Sequence, residues 1–163
     1  MELSISSCCE LLARKGFKIA FAESATAGAL AVGFSMTEHS GDVLLGSIVC
    51  YDADEKVCLL KVPQQLIEKH TPESAEVTAV MARNALKLFE KADITVAVTG
   101  LVKRGGSEEP GKPVGTVFLH FVFPAYELAL KEHFLGEPEQ IIRQAVHKVA
   151  EIISREVNSI TNP

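Results

Sequence analysis

A seven-residue stretch of small and hydroxyl residues, AESATAG at positions 22–28, constrains the fold of this chain most strongly. An alternating, strand-like run over 17–21 ends just before it, and the apolar, helix-like run 29–34 follows it. The stretch therefore predicts a junction between a β-strand and an α-helix. The N–H groups at the start of a helix lack partners within the helix and favour negative charge. A hydroxyl at this junction, on Ser24 or Thr26, either caps the helix or takes part in a reaction.

The hydrophobic periodicity of the remaining chain alternates between helix and strand. Apolar residues at helical spacing begin at Leu3 and stop before Gly16, and helix-start signals stand at Thr71 and Glu137. Further helical segments are predicted over 26–36, 52–60 and 64–69, and strands over 17–22, 43–51, 94–99, 114–123 and 128–134. The last two strands pair as a hairpin, and 43–51 is predicted to be buried on both faces. We therefore predict a three-layer α/β/α single domain with a mixed, mainly parallel sheet.

Composition limits the size of the protein and its partners. The 163 residues, 47% of them hydrophobic, suit one domain over 1–163 with a full core. The formal net charge of -5 and the absence of any Lys- and Arg-rich window argue against nucleic acid or a membrane surface as the main partner. The N-terminus resembles no signal peptide, and no apolar run has membrane-spanning length, which predicts a cytoplasmic protein.

Cysteine and histidine spacing gives no sign of a metal site. The four cysteines, Cys8, Cys9, Cys50 and Cys58, match neither a zinc ribbon nor a redox C-x-x-C motif. In a reducing compartment they are most simply small apolar core residues. No histidine pair has H-E-x-x-H spacing, so we expect neither a metal nor an organic cofactor.

The segment GSEEPGK, residues 106–112, fits the spacing of a phosphate-binding P-loop as far as its lysine. Pro113 then stands where a metal-binding hydroxyl and a backbone donor are needed, and a strand follows where that motif requires a helix. The glycine-rich loop over 100–113 is therefore either a lid or rim over a pocket or a solvated surface loop.

Polar residues follow three of the predicted strands, at Ser24, Tyr51 and Thr99. Ligands of open α/β sheets bind beyond the carboxyl ends of the strands, so these residues are expected to face one crevice. A serine nucleophile needs a base, and Lys56, one helical turn after Tyr51, is the candidate if burial lowers its pKa. Lys56 and Tyr51 are equally compatible with ordinary surface roles. Arg143 either binds an anionic substrate group or pairs with Glu139.

Five short motifs, in order, resemble the CinA carboxy-terminal domain family. Residues 22–28 are similar to its A-E-S-C-T-G-G, residues 51–56 to Y-S-N-E-A-K, and residues 59–63 to L-L-G-V-P. Residues 98–100 match V-T-G and residues 112–117 match K-P-V-G-T-V. The resemblance covers most of the chain.

The resemblance implies a nicotinamide-nucleotide amidohydrolase of pyridine nucleotide metabolism and NAD recycling. Such an enzyme hydrolyses the carboxamide of nicotinamide mononucleotide to nicotinate mononucleotide and ammonia. Ser24 would attack the amide carbon, Lys56 would take its proton with help from Tyr51, and Thr26 with nearby N–H groups would support the oxyanion. Arg143 would meet the phosphate. The other expected substrate-binding residues are Glu23, Gly28, Thr99, Gly100, Gly115 and Thr116.

The resemblance further implies a stand-alone form without the family's additional amino-terminal domain, assembled as a homodimer or higher homo-oligomer. Ala25 and Ala27 replace a cysteine and a glycine of the first motif. Residues 100–104, GLVKR, stand where the family usually has G-I-A-G-P, so Lys103 and Arg104 replace its final glycine and proline. These two cations would bind phosphate from a new direction, select another anionic amide, or fill the site. The last outcome leaves a rival function, a non-catalytic CinA-like domain that binds a nucleotide or a partner protein.

Overall fold

A five-stranded mixed sheet forms the centre of the protein, which we describe over residues 5–160 from a computed structural model. The strand order is β2-β1-β3-β4-β5, in which β1 is parallel to β2 and β3 while β4 is antiparallel to both of its neighbours. Four of the five strands therefore point the same way. The strands are β1 (Ile19–Glu23), β2 (Leu44–Val49), β3 (Ile94–Gly100), β4 (Thr116–Val122) and β5 (Glu127–His133).

Helices cover both faces of the sheet and bury two separate apolar clusters. The larger cluster lies under α1, α2, α3 and α7, and the smaller lies under α4, α5 and α6. The helices are α1 (Ile5–Lys15), α2 (Ala29–Ser35), α3 (Ser40–Val43), α4 (Ala53–Leu60), α5 (Gln64–His70), α6 (Ala75–Leu88) and α7 (Pro138–Ser159). This arrangement confirms the predicted three-layer α/β/α fold.

The interior strand β1 is apolar up to its last residue, Glu23, because it is covered on every side. Strand neighbours flank it at both edges and helices cover both of its faces, so all five of its residues are buried. Phe21 points into the larger cluster and Ala22 into the smaller one. Period-two alternation places successive side chains on opposite faces, so this strand supplies both cores.

Three sequence predictions about the elements need correction. The segment 43–51 is not buried on both faces: β2 is an edge strand and most of its residues are half-buried. The helix predicted over 26–36 begins only at Ala29, because the chain first makes a left-handed turn at Ala27 and Gly28. The helix predicted from Thr71 begins at Ala75, after an N-cap at Ser74.

The remaining helix and strand predictions agree with the structure. The β4–β5 hairpin is present, α4 begins after an N-cap at Asp52, and α7 begins after an N-cap at Glu137. Leu3, the predicted start of the first helix, lies outside the described residues. Every helix within 5–160 is too short or too polar to cross a lipid bilayer.

The cysteines divide into three core residues and one surface residue. Cys8, Cys9 and Cys50 are fully buried, as predicted, whereas Cys58 is exposed on α4. Burial raises the pKa of the Cys8 thiol to about 12. The prediction of a core role is therefore wrong for Cys58, which lies on the solvent side of its helix.

Phe34 joins α2 to the sheet and gives the first test of this fold. It is fully buried, and its ring meets that of Phe21 edge-on at 4.9 Å between centroids. We expect Phe34→Ala to lower the free energy of unfolding by about 3–5 kcal/mol, because it removes buried area and leaves a cavity. Urea denaturation measures the change. The matched control Met36→Ala, at an 82% exposed position two residues later, should change it by less than about 0.5 kcal/mol.

Candidate active site

A pocket of about 250 Å³ lies at the edge of the sheet where β1 and β3 end. The turn after β1 forms one wall, and the loop after β3 forms the opposite wall. Its lining residues are Ser24, Ala25, Tyr51, Glu73, Gly100, Leu101, Val102, Lys103, Arg104, Gly105 and Gly106. The position fits the expectation that ligands bind beyond the carboxyl ends of the strands.

Ser24 is the first residue after β1 and lines this pocket. Its N–H donates to the carbonyl oxygen of Val98 at 2.9 Å, which continues the pairing of β1 with β3 by one residue. Only 6% of the residue is exposed, and within residues 5–160 its Oγ makes no hydrogen bond. Ser24 therefore does not cap α2, and its hydroxyl remains available to a ligand.

The carboxylate of Glu23 takes the place of the missing helix cap. It is fully buried, and it accepts five hydrogen bonds from protein donors. Three of these donors are N–H groups at the start of α2, which otherwise lack partners. The donors are Thr26 Oγ1 at 2.7 Å, Ser47 Oγ at 2.8 Å, and the N–H groups of Gly28, Leu30 and Ala31, each at 3.0 Å.

Three residues of the turn that were expected to bind substrate do not line the pocket with their side chains. Glu23 cannot reach the pocket because all of its surface is buried, and the Thr26 hydroxyl is occupied by Glu23. Gly28 is the N-cap of α2 and adopts φ 98°, a left-handed conformation that favours glycine. All three residues shape the turn that presents Ser24.

Two backbone donors beside Ser24 remain available. Within the described part of the chain, the N–H groups of Ala25 and Thr26 have no hydrogen-bond acceptor. Ala25 lines the pocket directly. N–H groups fixed in a turn and turned toward a reacting oxygen are the usual components of an oxyanion hole.

Lys56 is buried immediately behind the pocket. It lies in the first turn of α4, where Asp52 caps the helix by accepting from the N–H of Asp54 at 2.8 Å. Its Nζ donates to the carbonyl oxygens of Cys50 at 3.0 Å and Tyr51 at 3.3 Å, and only 1% of the residue is exposed. Burial lowers the pKa of Lys56, although the charges of nearby acidic groups oppose this effect.

Tyr51 connects the lysine to the pocket. Its side chain lines the pocket and is half-exposed, while its carbonyl oxygen accepts from Lys56. The N–H of Cys50 donates to the carbonyl oxygen of Glu23 at 2.8 Å. This hydrogen bond joins the end of β2, which leads to Tyr51, to the end of β1, which leads to Ser24. Ser24 and Tyr51 thus line one pocket, and Lys56 lies behind that pocket, where it is bonded to the carbonyl oxygen of Tyr51. No hydrogen bond within residues 5–160 joins Lys56 to Ser24.

Most of the other expected substrate-binding residues support the pocket from outside. Thr99 is fully buried, with its hydroxyl 2.8 Å from that of Thr78. Gly115 donates to the carbonyl oxygen of Leu101 at 2.6 Å, and Thr116 accepts from the N–H of Leu101 at 2.9 Å. Gly100 alone among these predicted positions lines the pocket.

Arg143 is exposed on α7 and does not line the pocket. Within residues 5–160 it also makes no ion pair with Glu139, the alternative that helical spacing suggested. The structure instead places Lys103 and Arg104 in the pocket wall, where no carboxylate of the described residues pairs with either cation. No group of three His, Cys, Asp or Glu within the described residues is arranged to hold a metal ion.

Sequence reasoning missed Glu73 and Ser107, and it read Lys112 only as part of a motif. Glu73 lines the pocket, and the Nζ of the buried Lys112 bonds to its carbonyl oxygen at 3.1 Å. The only signal in the sequence was the position of Lys112 in the K-P-V-G-T-V segment. The sequence around residues 71–74 gave no indication that Thr71 and Glu73 contact Lys112.

The CinA C-terminal domain matches residues 3–157 of this chain. The chain belongs to the CinA C-terminal domain family. A CinA-like protein of Prochlorococcus marinus is 37% identical over 124 residues, which cover 76% of this chain and 29% of that protein. A CinA-like protein of Desulfotalea psychrophila is 34% identical over 146 residues, which cover 90% of this chain and 35% of that protein. The chain thus spans about a third of the length of these relatives.

Solved CinA superfamily structures have the same fold. The crystal structure of a competence-damaged protein (CinA) superfamily protein from Escherichia coli matches with a TM-score of 0.86 at 26% identity, covering 94% of this chain and 90% of that chain. One from Klebsiella pneumoniae matches with a TM-score of 0.89 at 24% identity, covering 96% of each chain. The family resemblance found in the sequence motifs is therefore confirmed.

Because Glu23 accepts five hydrogen bonds, replacing its carboxylate by an amide is expected to lower the stability of the fold strongly. Glu23→Gln keeps the shape of the side chain but places an NH₂ donor against N–H and hydroxyl donors, so we expect a loss of about 2–4 kcal/mol in the free energy of unfolding. Thermal and urea denaturation measure it. Glu38→Gln, at an exposed carboxylate in the same region, is the control and should be nearly neutral.

Burial of Lys56 predicts a characteristic pH dependence of stability. Because the pKa of Lys56 is lower in the folded chain than in the unfolded one, the unfolded chain binds more protons at pH values between the two. The free energy of unfolding therefore gains a contribution that rises with pH through this alkaline window. Urea denaturation across the window should show that Lys56→Met removes this contribution, whereas Lys87→Met, at an exposed lysine, retains it.

Proposed function

We propose that this chain is an amidohydrolase that converts nicotinamide mononucleotide to nicotinate mononucleotide and ammonia. The observation that carries the proposal is the position of Ser24. Its hydroxyl is unpaired among the described residues. Ser24 lines the pocket at the end of β1 together with Tyr51, and the carbonyl oxygen of Tyr51 accepts a hydrogen bond from the buried Lys56 behind the pocket. A serine needs a base of lowered pKa to act at moderate pH, and burial gives Lys56 that property.

In the proposed reaction, Ser24 Oγ attacks the amide carbon and its proton passes to the neutral amine of Lys56. The N–H groups of Ala25 and Thr26 donate to the oxygen that becomes negative. The carbon–nitrogen bond then breaks, Lys56 returns the proton, and ammonia leaves an ester on Ser24. Water attacks this ester and releases the acid, with Lys56 again as the base.

The charge of the pocket supports an anionic substrate. Lys103 and Arg104 line the wall opposite Ser24 and have no carboxylate partner among the described residues, in a chain with a formal net charge of -5. A mononucleotide carries a phosphate that such cations bind. We therefore assign the phosphate to Lys103 and Arg104 rather than to Arg143, which lies on α7 outside the pocket lining.

One observation favours a second function, a CinA-like domain that binds a nucleotide or a partner protein without turnover. Two donors of Lys56 Nζ are used by the carbonyl oxygens of Cys50 and Tyr51, and no hydrogen bond among the described residues joins it to Ser24. A lysine held in this way by carbonyl oxygens can serve purely to fix the end of β2. Measured turnover separates the two functions.

The decisive measurement is release of ammonia and nicotinate mononucleotide from nicotinamide mononucleotide by the purified chain. We expect Ser24→Ala to lower kcat by roughly 10³-fold or more, and Lys56→Met to do likewise, because each removes a group that acts in the chemical step. Ser35→Ala, at an exposed hydroxyl on α2, is the control and should retain full activity.

Three outcomes would contradict parts of this proposal. Equal turnover by wild type and Ser24→Ala would exclude Ser24 as the nucleophile. Nucleotide binding without release of ammonia by the wild type would favour the non-catalytic domain. Absence of both binding and turnover would exclude this substrate.

A further inference from the structure

A buried lysine fastens the loop over 100–113 to the segment that begins α6. Lys112 is 4% exposed, and its Nζ donates to Thr71 Oγ1 at 2.6 Å, Ser107 Oγ at 2.8 Å and the carbonyl oxygen of Glu73 at 3.1 Å. An ammonium group has three protons, and here each has an acceptor. A buried cation is tolerated only when it is hydrogen-bonded in this way, so Lys112 fixes its surroundings tightly.

Ser107 carries the connection on to the carboxylate of Glu73. Its Oγ accepts from Lys112 and donates to Glu73 Oε2 at 2.5 Å. Hydrogen bonds to a charged group are shorter and stronger than neutral ones. Thr71, the fourth residue of the network, adopts φ 68°, a strained conformation for a β-branched residue that the contact with Lys112 helps to hold.

The same loop is closed at its base and forms one wall of the pocket. Leu101 exchanges hydrogen bonds with Gly115 and Thr116, at 2.6 Å and 2.9 Å. Between this base and the contact at Ser107, residues 101–106 line the pocket. The hydrogen bond between Ser107 and Glu73, together with those of Lys112, therefore ties this wall of the pocket to the segment before α6.

Glu73 also shares the pocket with the residue that holds the candidate base. It lines the pocket with Ser24 and Tyr51, and the carbonyl oxygen of Tyr51 accepts from Lys56. Among the charges that raise the pKa of Lys56, the negative charge of Glu73 has the largest effect. The other charged or titratable groups acting on Lys56 are Cys50 and Asp52. One carboxylate thus contacts the loop and acts electrostatically on the candidate base.

We propose that Glu73 is a positioning residue of this site, which holds the 100–113 loop closed through Ser107 and places a negative charge in the pocket that it shares with Tyr51, whose carbonyl oxygen binds Lys56. The inference rests on the proposed amidohydrolase function for its kinetic consequences only. The position of the loop and the protonation of Lys56 thus both depend on the Glu73 side chain. Substitutions can separate its hydrogen bond to the loop from the effect of its charge.

Glu73→Gln tests the effect of charge. The amide oxygen still accepts from Ser107, so the loop stays closed and KM stays within about twofold. Loss of the negative charge makes the protonated form of Lys56 less favourable, so the titration of Lys56 and the acid limb of the pH profile of kcat/KM both move to lower pH. The titration is followed by NMR of the lysine side chain, assigned with Lys56→Met. Glu76→Gln, an exposed carboxylate on the same segment, is the control and should move neither.

Ser107→Ala tests the loop. This change keeps the charge of Glu73 but removes the bridging hydroxyl, so amide hydrogen exchange over 102–112 should become faster and KM should rise roughly fivefold. The titration of Lys56 should stay where it is in the wild type. The opposite responses of the two variants distinguish positioning by Glu73 from a general loss of structure.

The inference is overturned if Glu73→Gln leaves the Lys56 titration unchanged, or if Ser107→Ala leaves hydrogen exchange in the loop unchanged. Both readouts are independent of turnover. A wild type that releases no ammonia would therefore defeat the proposed function alone, while the titration and the exchange rates would still decide the role of Glu73.

Discussion

The buried carboxylate of Glu23 is the interaction on which the site depends. It accepts from donors in the turn after β1, in the first turn of α2 and on Ser47 of β2, so one carboxyl group joins an interior strand, a helix and the edge strand. A carboxylate stripped of water is costly unless its oxygens are fully hydrogen-bonded, and five donors meet that requirement. The positive end of the α2 dipole adds to the stabilisation. Because Ser24 is the next residue, the same bonds that order the junction also aim its side chain.

Two buried lysines flank the pocket, and each is held by neutral oxygens rather than by a carboxylate. Lys56 bonds to two carbonyl oxygens behind Tyr51, and Lys112 bonds to two hydroxyls and a carbonyl at the far side of the loop. Neither lysine makes a direct ion pair with a carboxylate within residues 5–160. Lys103 and Arg104 give the pocket of an acidic chain a locally positive wall, and Glu73 is the one carboxylate among its lining residues. An electrostatic field of this sign attracts anions and raises their local concentration.

The parts of this structure that follow from local sequence pattern were predictable, and those that depend on distant contacts were not. Periodicity and turn residues identified the order along the chain of the strands and of every helix except the four-residue α3, together with the β4–β5 hairpin and the placement of Ser24 and Tyr51 at strand ends. Strand order is set by packing between elements, so the edge position of β2 could not be read from its apolar run. The late start of α2 follows from Glu23, whose acceptors serve donors up to eight residues later and, at Ser47, on another strand. The pairing of Lys112 with Thr71 spans 41 residues and left no local trace.

The closed base of the loop separates two parts of the pocket along the chain. Hydrogen bonds from Gly115 to Leu101 and from Leu101 to Thr116 join the two ends of the loop where β3 stops and β4 starts. The residues proposed to carry out bond cleavage belong to a different part of the chain, between β1 and α4. The proposed recognition of the ligand and the proposed chemistry are thus encoded in two different segments, which folding brings together at one pocket.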